Sequence, residues 1–326
     1  MSDNRATLSS AIATYGHTRD LKSGKTPVEG YDLNFVEVNP IIAAFRRMIR
    51  SLEFDICELA PTTYLAAREA GIPITAVPVF LMRRFHHGDI ACRPGSGIKS
   101  PKDLEGRRVG VRAYTVSTGV WARALLQSEF GVDPDSVTWV VDDEEHVTSF
   151  KLPPNVETAA PGESLVELFH AGKIDAALTG PAGLGRSGPP SDGWKADFDS
   201  RPASTYYTLF ENPLDVETRS YRATGVYPLH ALIAIKSEVV ADHPELPAAL
   251  VAALEEAKRP FLESLRNGVD DSAQFAHYTA MRNIVGDDPL PYGIAANQAS
   301  IEALLDAAIN QHIITSRPAI EDLFTR

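Results

Sequence analysis

Arg112 stands within Arg107-Arg-Val-Gly-Val-Arg-Ala-Tyr-Thr-Val-Ser-Thr-Gly-Val-Trp-Ala-Arg123, a stretch that reads as strand, polar loop and helix. Val109 to Val111 is apolar and Tyr114 to Ser117 is small and polar. From Thr118 onward, Val120, Trp121, Ala124 and Leu125 fall on one helical face until Gly131 stops the run. Such a turn aims backbone N–H groups and the positive end of a helix dipole at the loop's occupant, which suits a carboxylate or a phosphate. At the strand's carboxyl end, Arg112 adds a planar fork that can hold a carboxylate through two parallel hydrogen bonds, with Tyr114 and Thr118 in the same loop. The alternative is an ordinary strand-to-helix turn with a surface arginine.

Other strand ends carry reactive side chains, and in open α/β sheets ligands bind at the carboxyl ends of strands. His17 and Arg19 lie in the polar loop Tyr15-Gly-His-Thr-Arg-Asp20, after a strand over Thr7 to Ile12. Glu58 and Thr62 lie where the strand Phe54 to Leu59 ends and the helix opened by Pro61 begins. A glutamate there can serve as an acid or base, or fill a hydrogen-bonded structural role. Arg84 and His86 fall on one face of a strand running to Cys92, with Phe85 and His87 on the other. His230 sits in the buried strand Leu229 to Ile235. Any one of these histidines is equally readable as structural. No His, Asp and Glu group has metal-ligand spacing, although ligands drawn from separate strands would leave no such trace, so a divalent metal stays open.

The elements that must position these residues alternate. A helix follows Asn39-Pro40, with Ile41, Ile42, Phe45, Met48, Ile49 and Leu52 in register. Strands follow over Ile74 to Phe80 and Phe85 to Cys92, and Arg93-Pro-Gly-Ser-Gly links to a short helix capped by Ser100. Beyond the Arg112 strand lie the strand Val137 to Val141, with Asp142 and His146 just past its end, the helix Glu163 to Ala171 and the strand Ile174 to Thr179. Pro181 to Tyr206, rich in Gly, Pro, Ser and Asp, reads as a long loop. After the return strand the chain ends in helices, plainest over Gln298 to His312. A weak internal echo, helix then Glu53-Phe-Asp-Ile and helix then Lys173-Ile-Asp-Ala, supports two similar halves.

This order predicts an α/β chain of two lobes with a ligand cleft and hinge closure. Lobe 1 is expected over 1–94 and 226–326 and lobe 2 over 95–225, with crossovers near 92–98 and 222–231. The 326 residues, 44% hydrophobic and 23% charged, have the composition of a folded two-domain protein. A net charge of -12 without basic stripes argues against nucleic acid or an anionic membrane surface as partner. Cys57 and Cys92 lie in apolar runs without zinc spacing, as expected of buried thiols in a reducing compartment. The opening Met-Ser-Asp-Asn-Arg-Ala-Thr-Leu has no apolar run of signal-peptide length, so a cytoplasmic location is expected. A homo-oligomer is compatible with this composition.

These pieces resemble the type II periplasmic-binding-protein fold and, within it, the 4,5-dihydroxyphthalate decarboxylase family. The resemblance rests on Phe54-Asp-Ile-Cys-Glu-Leu with Thr63-Tyr64, Arg83-Arg-Phe-His-His and Ile98-Lys-Ser-Pro-Lys-Asp-Leu-Glu-Gly-Arg-Arg-Val-Gly-Val. Val120-Trp-Ala-Arg, Glu129-Phe-Gly-Val and Glu217-Thr-Arg-Ser-Tyr-Arg-Ala-Thr-Gly-Val-Tyr-Pro-Leu-His230 add to it, the last being the most specific. One departure stands out: where the family carries Pro-Glu-Tyr-Gln, this chain has Arg112-Ala-Tyr-Thr115.

The resemblance implies loss of CO2 from a hydroxylated aromatic dicarboxylate, without an organic cofactor. Such chemistry needs an acid beside the ring carbon that loses its carboxylate, an acceptor for a ring hydroxyl, and cations for the spectator carboxylate. On that reading the acid is one of His17, His86 and His230, and Glu58 is the acceptor. Arg19, Arg84 and Arg112 are then the clamps, with Thr62, Tyr114 and Thr118 beside them. The competing reading is a non-catalytic solute-binding protein for a small aromatic or heterocyclic acid, which the fold alone does not exclude. A thiamine-pyrimidine-type synthase on the same fold would need a sacrificial histidine and a cysteine-rich iron site that two cysteines do not supply.

Overall fold

Ile56-Cys-Glu-Leu59 is buried at every position, as a strand covered on both faces must be, and a glutamate in that run is the anomaly around which the first unit is built. A computed structural model describes residues 5–185, 206–268 and 272–325. Its contacts divide the chain into unit 1 (Met1–Arg83, Leu229–Glu302, Pro318–Arg326) and unit 2 (Arg84–Pro228, Ala303–Arg317). The second unit thus starts at Arg84 rather than 95 and takes a piece of the C-terminal helical region, which periodicity alone does not assign to either body.

In chain order, unit 1 begins with β1 (Ala6–Ala11), α1 (Arg19–Lys22), β2 (Tyr31–Phe35), α2 (Ile42–Ser51), β3 (Ile56–Leu59), α3 (Pro61–Glu69) and β4 (Ile74–Arg83). Unit 2 follows with β5 (Ile90–Cys92), β6 (Arg108–Gly110), α4 (Ser117–Phe130), β7 (Thr138–Val141), β8 (Val156–Thr158), α5 (Leu165–His170), β9 (Ala176–Leu178), β10 (Tyr207–Thr208) and α6 (Pro213–Thr224). The chain then returns through β11 (Leu229–Lys236), α7 (Ser237–Asp242), α8 (Leu246–Asn267), α9 (Ala273–Val285) and α10 (Gln298–Asn310).

The strands form two sheets. In unit 1 the order is β2-β1-β3-β11-β4; β1 runs parallel to β2 and β3, and β11 runs antiparallel to β3 and β4. Its core joins Leu8, Ile56, Val77, Leu81, Ile233 and Ile235 to Leu246, Leu250 and Leu254 of α8. In unit 2 the order is β10-β5-β9-β6-β7-β8, with β6 parallel to β7 and β9 and with β5 antiparallel to β9. Val109, Val111, Leu125, Leu126, Trp139 and Val141 form its core. Among the described residues, no helix is long and apolar enough to cross a membrane.

Several predicted boundaries move, each for a local reason. The stretch from Phe85 to Cys92 is a strand only over Ile90–Cys92; His87–Asp89 is a 3-10 turn, closed by the Asp89 N–H donating to the His86 carbonyl at 3.1 Å. The two-faced display of Arg84, Phe85, His86 and His87 is therefore replaced by a turn. Asn39-Pro40 does not cap α2: the Ala43 N–H bonds to the Pro40 carbonyl at 3.0 Å in a tight turn, and the helix starts two residues later behind Ile41. Gly131 does end α4, with the positive φ of 64° that glycine adopts without strain. Most of the predicted loop Pro181 to Tyr206 lies outside the described residues.

Candidate active site

The loop after β1 exists in its form because Thr18 ties it. The Tyr15 N–H donates to Thr18 Oγ1 at 2.8 Å, and Thr18 Oγ1 donates to the Ala13 carbonyl at 2.8 Å. That leaves the Ala13 N–H pointing at Glu58 Oε2, 3.1 Å away, while the Tyr15 hydroxyl donates to Glu58 Oε1 at 2.6 Å. Gly16 follows because nothing larger fits: a Cβ there would meet the Phe261 ring at 2.4 Å. Glu58 is 1% exposed, and burial pushes its carboxyl up to about 7, against the opposing pull of the Tyr15 hydroxyl, the Ala13 N–H and Lys22. The same burial, together with the Glu58 charge, holds the Tyr15 phenol well above its usual range.

His17 is fully buried beside this pair. Its ring stacks on Tyr15 with centroids 5.2 Å apart and meets Tyr278 edge-on at 6.3 Å. Burial lowers it to about 3; the Leu81 carbonyl opposes this from outside hydrogen-bond geometry, and the Lys258 charge adds to the lowering. His17 is thus a neutral ring in an aromatic box at neutral pH. Thr62 is buried in the first turn of α3, Arg19 is exposed at the start of α1, and His230 is the half-buried extra residue of a bulge where β11 meets β4.

Unit 2 holds a different cluster. Arg84 donates from Nη1 to Asp89 Oδ1 at 2.9 Å and from Nη2 to Thr118 Oγ1 at 3.4 Å, at the N-terminal turn of α4. His86 Nδ1 lies 2.8 Å from Asp89 Oδ2. Burial, then the Arg84 charge, brings His86 down to about 4, so it too is neutral near pH 7. Asp89 is held at about 2: burial works against its charge, and the Arg84 charge and the His86 contacts outweigh it.

Arg112, predicted as a clamp, has a side chain 1% exposed and pairs with Asp143, itself 2% exposed, at 3.3 Å. A carboxylate reaching it must open that pair. Tyr114 is closed into the core, with the Arg123 guanidinium 3.9 Å from its ring centroid. Glu145 accepts from the backbone N–H groups of Tyr114 and Thr115 and from the Thr115 hydroxyl. Burial raises Glu145 in spite of those bonds.

Sequence reasoning singled out Glu58, Arg84 and Thr118 but not Tyr15, Asp89, Asp143 or Glu145. Tyr15 belongs to the loop already suspected, and Asp89 follows Gly88, a turn signal. Asp143 and Glu145 follow the predicted strand Val137 to Val141, and their enclosure is visible only in the fold. Among the described residues, no group of three His, Cys, Asp or Glu side chains is arranged to hold a metal ion.

Comparison with known proteins places this geometry. The family described as NMT1/THI5 like matches residues 29–173. By fold, the chain is similar to the periplasmic aliphatic sulphonate binding protein SsuA of Escherichia coli, with a TM-score of 0.55, 12% identity and 99% and 98% of the two chains covered. It is also similar to the desulfurization enzyme DSZB, with a TM-score of 0.50, 15% identity and 98% and 96% covered. These likenesses establish a periplasmic-binding-protein-like α/β fold, one that carries both a binding protein and an enzyme. By sequence, the chain is 36% identical over 183 residues to a 4,5-dihydroxyphthalate decarboxylase of Pseudomonas putida, covering 54% of this chain and 70% of that protein. To a 4,5-dihydroxyphthalate decarboxylase of Comamonas testosteroni it is 31% identical over 315 residues, 91% of this chain and 90% of its relative. With that length of match, this chain belongs to the 4,5-dihydroxyphthalate decarboxylase family.

Proposed function

We propose that the protein is a decarboxylase that releases CO2 from a hydroxylated aromatic dicarboxylate such as 4,5-dihydroxyphthalate, with Glu58 as the proton donor. The observation that carries the assignment of the acid is the buried Glu58 carboxyl, raised to about 7 and hydrogen-bonded by Tyr15. A group of that strength is partly protonated at neutral pH and can still release its proton, which is what a general acid requires. His17 at about 3 and His86 at about 4 are neutral rings there, so on this reading neither is the acid.

A hydroxyl para to the departing carboxylate feeds electron density to the carbon that bears it. Glu58 transfers its proton to that carbon, the bond to the carboxylate breaks, its electron pair returns to the ring, and CO2 leaves. The aromatic product keeps one carboxylate, and Glu58 is left ionised until solvent restores its proton. Tyr15 orients the glutamate and stabilises its charge after transfer. Within unit 2 we assign carboxylate binding to Arg84, whose side chain is 30% exposed and stands beside the N-terminus of α4.

Incubating purified protein with 4,5-dihydroxyphthalate tests the reading directly. CO2 and the dihydroxybenzoate should appear in equal amounts, catalytically and without added cofactor. Tight binding without CO2 on prolonged incubation would make the protein a solute receptor instead.

A further inference from the structure

Arg84 is the first residue of unit 2, and its side chain, at 30%, is the most exposed of the three that meet at the following turn. The Asp89 side chain is 12% exposed and that of His86 is 0%. An arginine in such a place ordinarily samples many rotamers; here the carboxylate behind it removes that freedom. Asp89 divides its two oxygens, Oδ1 taking an Arg84 N–H at 2.9 Å and Oδ2 taking His86 Nδ1 at 2.8 Å. The aspartate is itself fixed from both sides of its backbone: its N–H bonds to the His86 carbonyl at 3.1 Å, and its carbonyl accepts from the Thr179 N–H at 2.8 Å. From α6, the buried Glu217 packs beside the same turn. Arg84 thereby commits one N–H to Asp89 and one to Thr118, and its other donors have no partner among the described residues.

We propose that Asp89 is a positioning residue: it holds the Arg84 guanidinium in the one orientation that leaves a free edge for a substrate carboxylate. The inference rests on the reading of Arg84 given above. It assigns no contact with the substrate to Asp89, which acts through the arginine. The pair sets how strongly the site prefers a dicarboxylate over an otherwise identical monocarboxylate, because an arginine that wanders loses the two-pronged geometry while keeping its charge.

The test is a double-mutant cycle on the full-length protein. Wild type, Arg84→Gln, Asp89→Ala and the double variant are each titrated with 4,5-dihydroxyphthalate and with 3,4-dihydroxybenzoate, and KM and kcat are measured for the former. Arg84→Gln should erase most of the preference for the dicarboxylate. Asp89→Ala should cut that preference about tenfold, mainly through KM. Added to Arg84→Gln it should change little more, since its effect runs through a guanidinium that is already gone. Asp89→Asn keeps the volume and one acceptor, should fall between wild type and Asp89→Ala, and carries the cycle if the alanine variant does not fold. Effects that add in full, or a loss confined to kcat with the preference intact, would overturn the positioning role and leave Arg84 standing. An Arg84→Gln protein that discriminates like wild type would instead remove the reading of Arg84 itself.

Discussion

Glu58 and Asp89 are both buried acids beside a histidine, yet the protein keeps one poised to hold its proton and the other permanently charged. Glu58 receives hydrogen bonds from a neutral phenol and a backbone amide, with Lys22 as the nearby charge, so desolvation prevails and the carboxyl rises to about 7. Asp89 is in contact with a guanidinium, whose charge overrides the same desolvation and keeps it at about 2. The difference lies in the partner and not in the depth of burial. On the proposed reading, one arrangement makes a proton donor and the other a fixed cation holder.

The strongest way to break this comparison is to remove the proton donor. Glu58→Gln keeps an acceptor for Tyr15 and should lower kcat by about a hundredfold to ten-thousandfold while leaving dicarboxylate affinity within a few fold. The same variant should be more stable than wild type at alkaline pH. A carboxyl raised from 4.5 to about 7 contributes stability that is complete below 4.5 and lost as pH rises through 7, a loss of about 3 kcal/mol. Denaturant titrations across that window should show wild type weakening while Glu58→Gln stays flat.

Arg112 and Arg84 sharpen the other half of the contrast. Arg112→Ala leaves Asp143 buried without its cation and should destabilise the fold by about 3–5 kcal/mol, seen as a fall in Tm before any ligand is added. Arg84→Ala should lower Tm less than Arg112→Ala, since the arginine is 30% exposed and His86 still bonds Asp89, and should weaken dicarboxylate binding about tenfold to a hundredfold. The smallest effect belongs to Tyr15→Phe. The phenol's hydrogen bond holds Glu58 down, so its loss should move the alkaline limb of the rate profile further up and change the rate at neutral pH by less than about tenfold.

These contrasts also explain what could be read without a structure. Periodicity placed β3, α4 and β11, and with them Glu58, Thr118 and His230, because each element carries its own hydrophobic pattern. It did not place the turn at His87–Asp89, where side-chain hydrogen bonds decide the backbone and an alternating pattern imitates a strand. The roles were harder still. The histidines looked like acids because their ordinary pKa lies near neutrality, whereas His17 owes its low value to Phe261 and Tyr278, more than two hundred positions away. Nothing in Ile56-Cys-Glu-Leu59 says which partners Glu58 meets, so the balance that sets its protonation was not legible there.

The central claim is that Glu58 carries a proton near neutrality, and difference infrared spectroscopy reads that proton itself. Spectra of the ligand-free protein, collected from about pH 5 to about pH 9, should show a protonated-carboxyl band that disappears with a midpoint about 7. In Glu58→Gln the component with that midpoint should be missing, whatever the raised Glu145 and Glu217 carboxyls contribute. A midpoint in the ordinary carboxylate range, or a component with a midpoint about 7 that survives the substitution, would contradict the account.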